Sequence, residues 1–177
     1  MTTKDFDPGP LGDARVEPAE DGGWTLILVR ELRHPRAAVW TALTDPAQVD
    51  RWAPFAAARD LGVRGETTVT VIDGDTRVDV PATVLRAEEP SVLEYTWGGD
   101  LLRWELEPAG AGTRLTLRHR LSDPDTRAMV AAGWHICLGV LDRLLAGDPV
   151  GAIRGREAMD HGWEKLRDGY AERFAAG

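Results

Sequence analysis

Four histidines and one cysteine are the side chains of this 177-residue chain best suited to acid–base, metal or nucleophilic chemistry. His34, His119, His135 and His161 stand far apart, and none shares a ligand spacing such as HExxH with another. Cys137 is alone, which excludes an internal disulfide and a Cys-rich zinc site. It falls on the apolar arc of a long helical stretch, where a buried small hydrophobe is expected rather than a nucleophile. There is no GxSxG elbow, phosphate loop or dinucleotide fingerprint, and Gly98, Gly99, Gly110 and Gly112 sit in hairpin turns. The carboxylate pairs Glu88-Glu89 and Glu105/Glu107 fall at strand ends or on an outward face, as solvated surface. No catalytic residue, metal or cofactor is therefore expected, and an enzyme is not the leading class. His119 keeps that class open. It alternates with Leu115, Leu117 and Leu121, so it points inward, either as a hydrogen-bonded core or rim residue or as an acid–base or ligand contact. His135 shares the polar side of its helix with Asp142 and is expected at the surface.

The aromatic residues carry more information. Seven tryptophans are many for this length, and the ordinary role of each one is to fill core volume. Taken as a set they suggest a container. Tyr95 and Trp97 share a strand face, Trp104 lies on the next strand, and Trp134 comes from the long helix. Converging faces would give aromatic walls with sparse polar groups, which suits a planar apolar ligand. The candidate ligand-binding set is Trp52 and Phe55 at the mouth, with Val80, Tyr95, Trp97, Trp104, Leu117, His119, Trp134, Leu138 and Leu141 around the cavity.

Composition narrows the partners. The apolar share of 43% is that of a globular protein, and 177 residues suffice for one domain with appendages. A net charge of −8 leaves no basic surplus to neutralise phosphates, so nucleic acid is excluded as a general partner. No signal peptide opens the chain and no apolar run approaches a membrane span, so a cytoplasmic location without membrane insertion is expected.

The elements that must position these residues follow from periodicity. Residues 1–22, rich in Gly, Pro and acids, read as a flexible arm that Phe6 and Leu11 could pin to the body. WTLILVREL from Trp24 is a strand buried on both faces. Pro35 and Asp45-Pro46 open two short helices, and Pro54 ends the second. Five strands follow at hairpin spacings, with Pro81 marking a bulge or an edge. Asp123-Pro124 then caps a helix running to Leu145, about 35 Å long by its residue count. Its apolar arc exceeds half the circumference, so a sheet must curl around it. Met159, Trp163, Leu166, Tyr170 and Phe174 recur at helical spacing in a tail that needs a partner surface. The order is α+β: strand, two helices, five strands, long helix.

RELRHPRAAVWTALTDPAQVDRWAPF, the strand meander and GWHICLGVLDRLL together resemble the START-like helix-grip (SRPBCC) superfamily, in the branch of the homologues of the heat-shock-protein-90 ATPase activator. VWxALTDPxxxxRW, from Val39 to Trp52, is the most specific piece. The resemblance implies an antiparallel sheet of about seven strands wrapped around the carboxy-terminal helix, with a cavity between them. It covers the helix-grip domain, 23–146, and leaves outside it the arm at 1–22 and, at 147–177, the amphipathic helix, which is expected to dock on the domain or on a partner subunit. It does not imply one activity. The leading expectation is binding of a small hydrophobic or aromatic molecule. The alternatives are a polyketide cyclase/dehydratase-like enzyme using a cavity His and water, and a co-chaperone-like ATPase activator. A homodimer or a chaperone contact is a further possible partner.

Overall fold

Alternating apolar and polar residues build an antiparallel sheet, and one helix with a wide apolar arc fills its concave face. The structure is a computed structural model and describes residues 6–176, so residues 1–5 of the expected arm lie outside the described residues. In chain order the first elements are Asp13–Pro18 (β1), Trp24–Leu32 (β2), Arg36–Thr44 (α1), Pro46–Val49 (α2) and Phe55–Ala57 (β3). Four long strands and a shorter one continue the sheet: Gly65–Asp73 (β4), Thr76–Glu88 (β5), Val92–Trp97 (β6), Asp100–Ala109 (β7) and Gly112–Leu121 (β8). The helices Arg127–Leu145 (α3) and Trp163–Ala175 (α4) end the chain. The fold is the expected α+β helix grip. Its sheet has eight strands rather than about seven, in the order β1-β2-β8-β7-β6-β5-β4-β3.

The two strands that the sequence reading lacks are the edges. β1 was expected within a flexible arm, because Gly and Pro surround it, yet Ala14 and Val16 pair with Leu28 and Leu26. β3 is only three residues long, too short for an alternation to register, and Phe55 pairs with Val71. An edge strand needs one neighbour only, so short or polar segments suffice.

Register sets what faces the core. One cross-strand row runs Leu26, His119, Leu102, Tyr95, Val84, and the next runs Leu28, Leu117, Trp104, Leu93. Both rows face α3. The outer face carries Arg103 and Arg118 paired with Glu105, and Arg114 paired with Glu31. Such half-exposed pairs favour solubility more than stability. Pro81 lies in an interior strand, with the bulge further along at Val84/Arg86. Its carbonyl accepts from Gly98 in the turn beyond β6. The missing N–H of Pro81 points to that same side, where the ladder with β6 has already ended.

α3 begins as expected: the Asp123 carboxylate accepts from Asp125 N–H in a 3-10 turn, Pro124–Thr126, that leads into it. Ala131, Trp134, Cys137, Leu138 and Leu141 are buried along it. By length and composition alone, Pro124–Leu145 is long and apolar enough to cross a membrane, contrary to expectation, and 50% of that window is buried inside the domain. The side of α3 away from the sheet is also covered, which corrects the placement of His135. That ring is only 5% exposed. Its Nε2–H donates to the Pro8 carbonyl (2.7 Å), and its Nδ1 accepts from the Tyr170 hydroxyl (2.7 Å). The Tyr170 oxygen in turn accepts from Gly12 N–H. Arm and tail thus meet on one histidine, with α4 packed against α3. The tail stripe holds for Leu166 and Tyr170, both buried, while Met159 is exposed.

Candidate functional site

The candidate aromatic residues do converge, and they fill the space between them. Trp104, on β7, stands edge-on to Trp52 (5.8 Å between centroids) and to Trp134 (5.4 Å). Trp97, at the end of β6, meets Trp134 (6.1 Å), His119 (6.0 Å) and Phe55 (5.1 Å), and Phe55 meets Tyr95 (6.3 Å). These are ordinary packing distances for aromatic pairs. Leu117, Leu138 and Leu141 are buried in the same core, and Val80, partly buried, packs against it beside the turn at Gly98.

Polar atoms in the cluster satisfy one another. Trp52 Nε1–H donates to the Ala42 carbonyl (2.8 Å), and Trp104 Nε1–H to the Tyr95 hydroxyl (3.3 Å). Burial pushes the Tyr95 phenol far up, only partly opposed by that bond, so it stays neutral. His119 is 1% exposed and uses both ring nitrogens. The Trp134 indole can only donate, so His119 Nδ1, 2.9 Å away, accepts from it. Nε2 therefore carries the hydrogen and donates to Asp100 Oδ2 at 2.6 Å. Ser122 N–H holds the other carboxylate oxygen at 2.9 Å. Burial alone would raise the Asp100 carboxyl, but donation from His119 and Ser122 outweighs it and lowers the group to about 2. While this Trp134–His119–Asp100 chain stands, His119 has no free nitrogen with which to take a substrate's proton. The arrangement orients the His119 and Trp134 rings.

Open space lies at the margin of the cluster. Trp97 and Trp134 form one wall of a crevice of about 300 Å3, and α3 supplies Val130, Gly133 and Cys137 on the same face. Val130, Gly133, Trp134 and Cys137 recur at intervals of three and four, the spacing of one helix face. A Cβ built on Gly133 would meet nothing within 4 Å, so open space lies beside this position. The opposite wall is Ile153, Gly155 and Ala158, from the segment between α3 and α4, with Trp163 from the first position of α4. Burial pushes the Cys137 thiol up to about 12, against a small opposing effect of Arg154, so the crevice holds no reactive thiolate.

Arg154 fixes that segment over the crevice. Its Nε–H donates to the Ala53 carbonyl (2.9 Å), and its Nη2 to the Asp50 carbonyl (2.9 Å) and carboxylate (3.3 Å). On the far side Arg156 N–H donates to Asp73 (3.2 Å). The segment is a strap tied at its middle, by Arg154 to the Asp50–Phe55 loop and by Arg156 to the end of β4. Of the candidate residues, the crevice takes only Trp97 and Trp134. The residues missed are those of the strap and Trp163, with Pro54, Val130, Gly133, Ile136 and Cys137. Helical spacing from Trp134 points to the α3 members. Nothing in the periodicity points to the strap, which is irregular. Among the described residues no cluster of His, Cys, Asp and Glu is placed to hold a metal ion.

Comparison with known proteins gives three findings. The family described as Activator of Hsp90 ATPase homolog 1-like protein matches residues 33–146. No curated protein matches the chain significantly. Among solved structures, CalU16 from Micromonospora echinospora is similar at 22% identity and TM-score 0.65, over 90% of this chain and 94% of that one. EF2215 from Enterococcus faecalis, a conserved protein of unknown function, is similar at 21% identity and TM-score 0.67, over 91% and 88%. DynU16, a protein in the dynemicin biosynthetic locus, is similar at 24% identity and TM-score 0.63, over 73% of this chain and 50% of that one.

Proposed function

The chain belongs to the family described as Activator of Hsp90 ATPase homolog 1-like protein, and from that membership and the geometry above we propose that it binds a small, flat, apolar molecule in the crevice beneath the strap. One observation carries the reading: an apolar crevice of about 300 Å3 opens directly onto Trp97 and Trp134, with Arg154, tied to backbone, as its one charged residue. That volume is at the lower end of small-molecule sites, so a ligand of two or three rings is the right size. The location of DynU16 in a biosynthetic locus makes a natural-product-like ligand the class to test first. His119 serves as a positioning residue for Trp134, and the protein acts as a carrier or receptor in the cytoplasm, not as a cyclase.

Titration of the protein with the uncharged dye N-phenylnaphthylamine tests the proposal. The dye quenches tryptophan emission at micromolar concentration, and Gly133→Leu, which extends a side chain into the crevice, abolishes the quenching. Equal quenching in the variant overturns the assignment. A second reading, contact with a chaperone ATPase, is favoured by the family description itself. It predicts that the protein raises the ATPase rate of such a chaperone, with Gly133→Leu fully active.

A further inference from the structure

At the other end of α3 the inner face of the sheet runs out from under its helix. Trp24 continues the face of Leu26 and Leu28, which are fully buried, yet it is 38% exposed. Beside it a groove of about 450 Å3 is walled by Val16, Trp24, Pro124 and Phe174. Arg127, at the first position of α3, and Arg173, in the last turn of α4, line the same groove. Neither guanidinium forms an ion pair with a carboxylate among the described residues. Arg127 donates only to the Pro124 carbonyl of its own turn (3.1 Å), and Arg173 to the Gly12 carbonyl while lying over the Tyr170 ring. Arg15, also in the lining, is paired with Glu17 (2.9 Å), and Asp125 is the one carboxylate that lines the groove. The groove is therefore net positive on a chain whose net charge is −8.

We propose that this groove is a second ligand site, separate from the crevice, for an amphipathic anion: a flat apolar body with a single carboxylate, sulfonate or phosphate head. The body would lie between Trp24 and Phe174, and the head would take the free donors of Arg127 and Arg173. Guanidinium forks match such oxyanions in geometry as well as charge. Partly desolvated aromatic walls make those contacts worth more than they are in open water. The volume fits a body of a few rings.

The test uses the full chain, isotopically labelled, and a matched pair of dyes: anilinonaphthalene sulfonate and uncharged N-phenylnaphthylamine. The sulfonate dye shifts the Trp24 indole N–H resonance in a saturable way, and the uncharged dye does not. The double variant Arg127→Gln/Arg173→Gln weakens sulfonate binding about tenfold or more, a change of about 1.4 kcal/mol. Added salt weakens wild-type binding in the same direction. Gly133→Leu leaves the sulfonate site unchanged, so failure of the crevice reading leaves this one standing. A Trp24 resonance that stays still at high sulfonate concentration overturns the proposal without recourse to a variant. So does full-strength sulfonate binding in the double variant, or its loss in Gly133→Leu.

Discussion

Gly133 offers a test in which stability and binding should move in opposite directions. It lies inside α3, where glycine costs about 1 kcal/mol relative to alanine. A Cβ added there meets nothing within 4 Å, whereas one at Gly139, six residues on, comes within 2.7 Å of the Phe6 ring. Gly133→Ala should therefore gain the helix propensity without a steric charge against it. For a chain of this length, about 1 kcal/mol raises the melting temperature by about 2–4 °C. Gly139→Ala should show no such gain, because Phe6 must move. Gly133→Leu should retain much of the added stability while occupying the crevice, and dye binding should be lost. Thermal unfolding followed by far-UV circular dichroism, with dye titration on the same samples, reads both. A Gly133→Ala variant that melts lower than wild type refutes the free space along α3. A Gly133→Leu variant that binds dye normally refutes the site.

Four further outcomes follow from the hydrogen-bond networks. Asp100 is held at about 2 in the fold against an ordinary 3.8, so its share of stability is complete above pH 4 and lost as pH falls towards 2. The shift corresponds to about 2 kcal/mol; in Asp100→Asn the loss of stability across that window should shrink by about this amount, and parallel curves would contradict the network. Burial lowers His135 below its ordinary value, so its contribution is complete above about pH 6.5 and lost as pH falls below it. Tyr170→Phe removes the hydroxyl that joins His135 to Gly12, and should cost about 1–3 kcal/mol by denaturant unfolding; a neutral effect would show that arm and tail do not depend on it. Arg154→Met should free the strap, seen as faster limited proteolysis within residues 147–162 than in wild type, and equal rates would show that Arg154 is not its tie.

Much of the fold was legible because two periods dominate it. Alternation from Leu102 to Leu106 and from Leu115 to Leu121 placed the core face correctly, and Asp123-Pro124 marked the start of the long helix. Periodicity says which side of a helix is polar, but not what covers that side. Periodicity therefore puts His135 on the solvent side, whereas the arm and α4 close over it. The candidate site was half legible. The aromatic side chains were identified and do meet, but whether aromatic rings enclose space or fill it depends on centroid distances of about 5–6 Å that no sequence pattern encodes. The crevice needs the strap as its second wall. That wall is built by Arg154, whose partners are mostly backbone carbonyls about a hundred residues earlier, and backbone carbonyls leave no mark in a sequence.

The central claim is that a flat apolar ligand sits between the Trp97–Trp134 wall and the strap. Intermolecular nuclear Overhauser effects from bound N-phenylnaphthylamine to assigned protons measure this directly. The account predicts contacts from the dye to Trp97 on one side and to Ile153 and Trp163 on the other. A dye that binds but shows its contacts only elsewhere, or that does not bind at all, contradicts it.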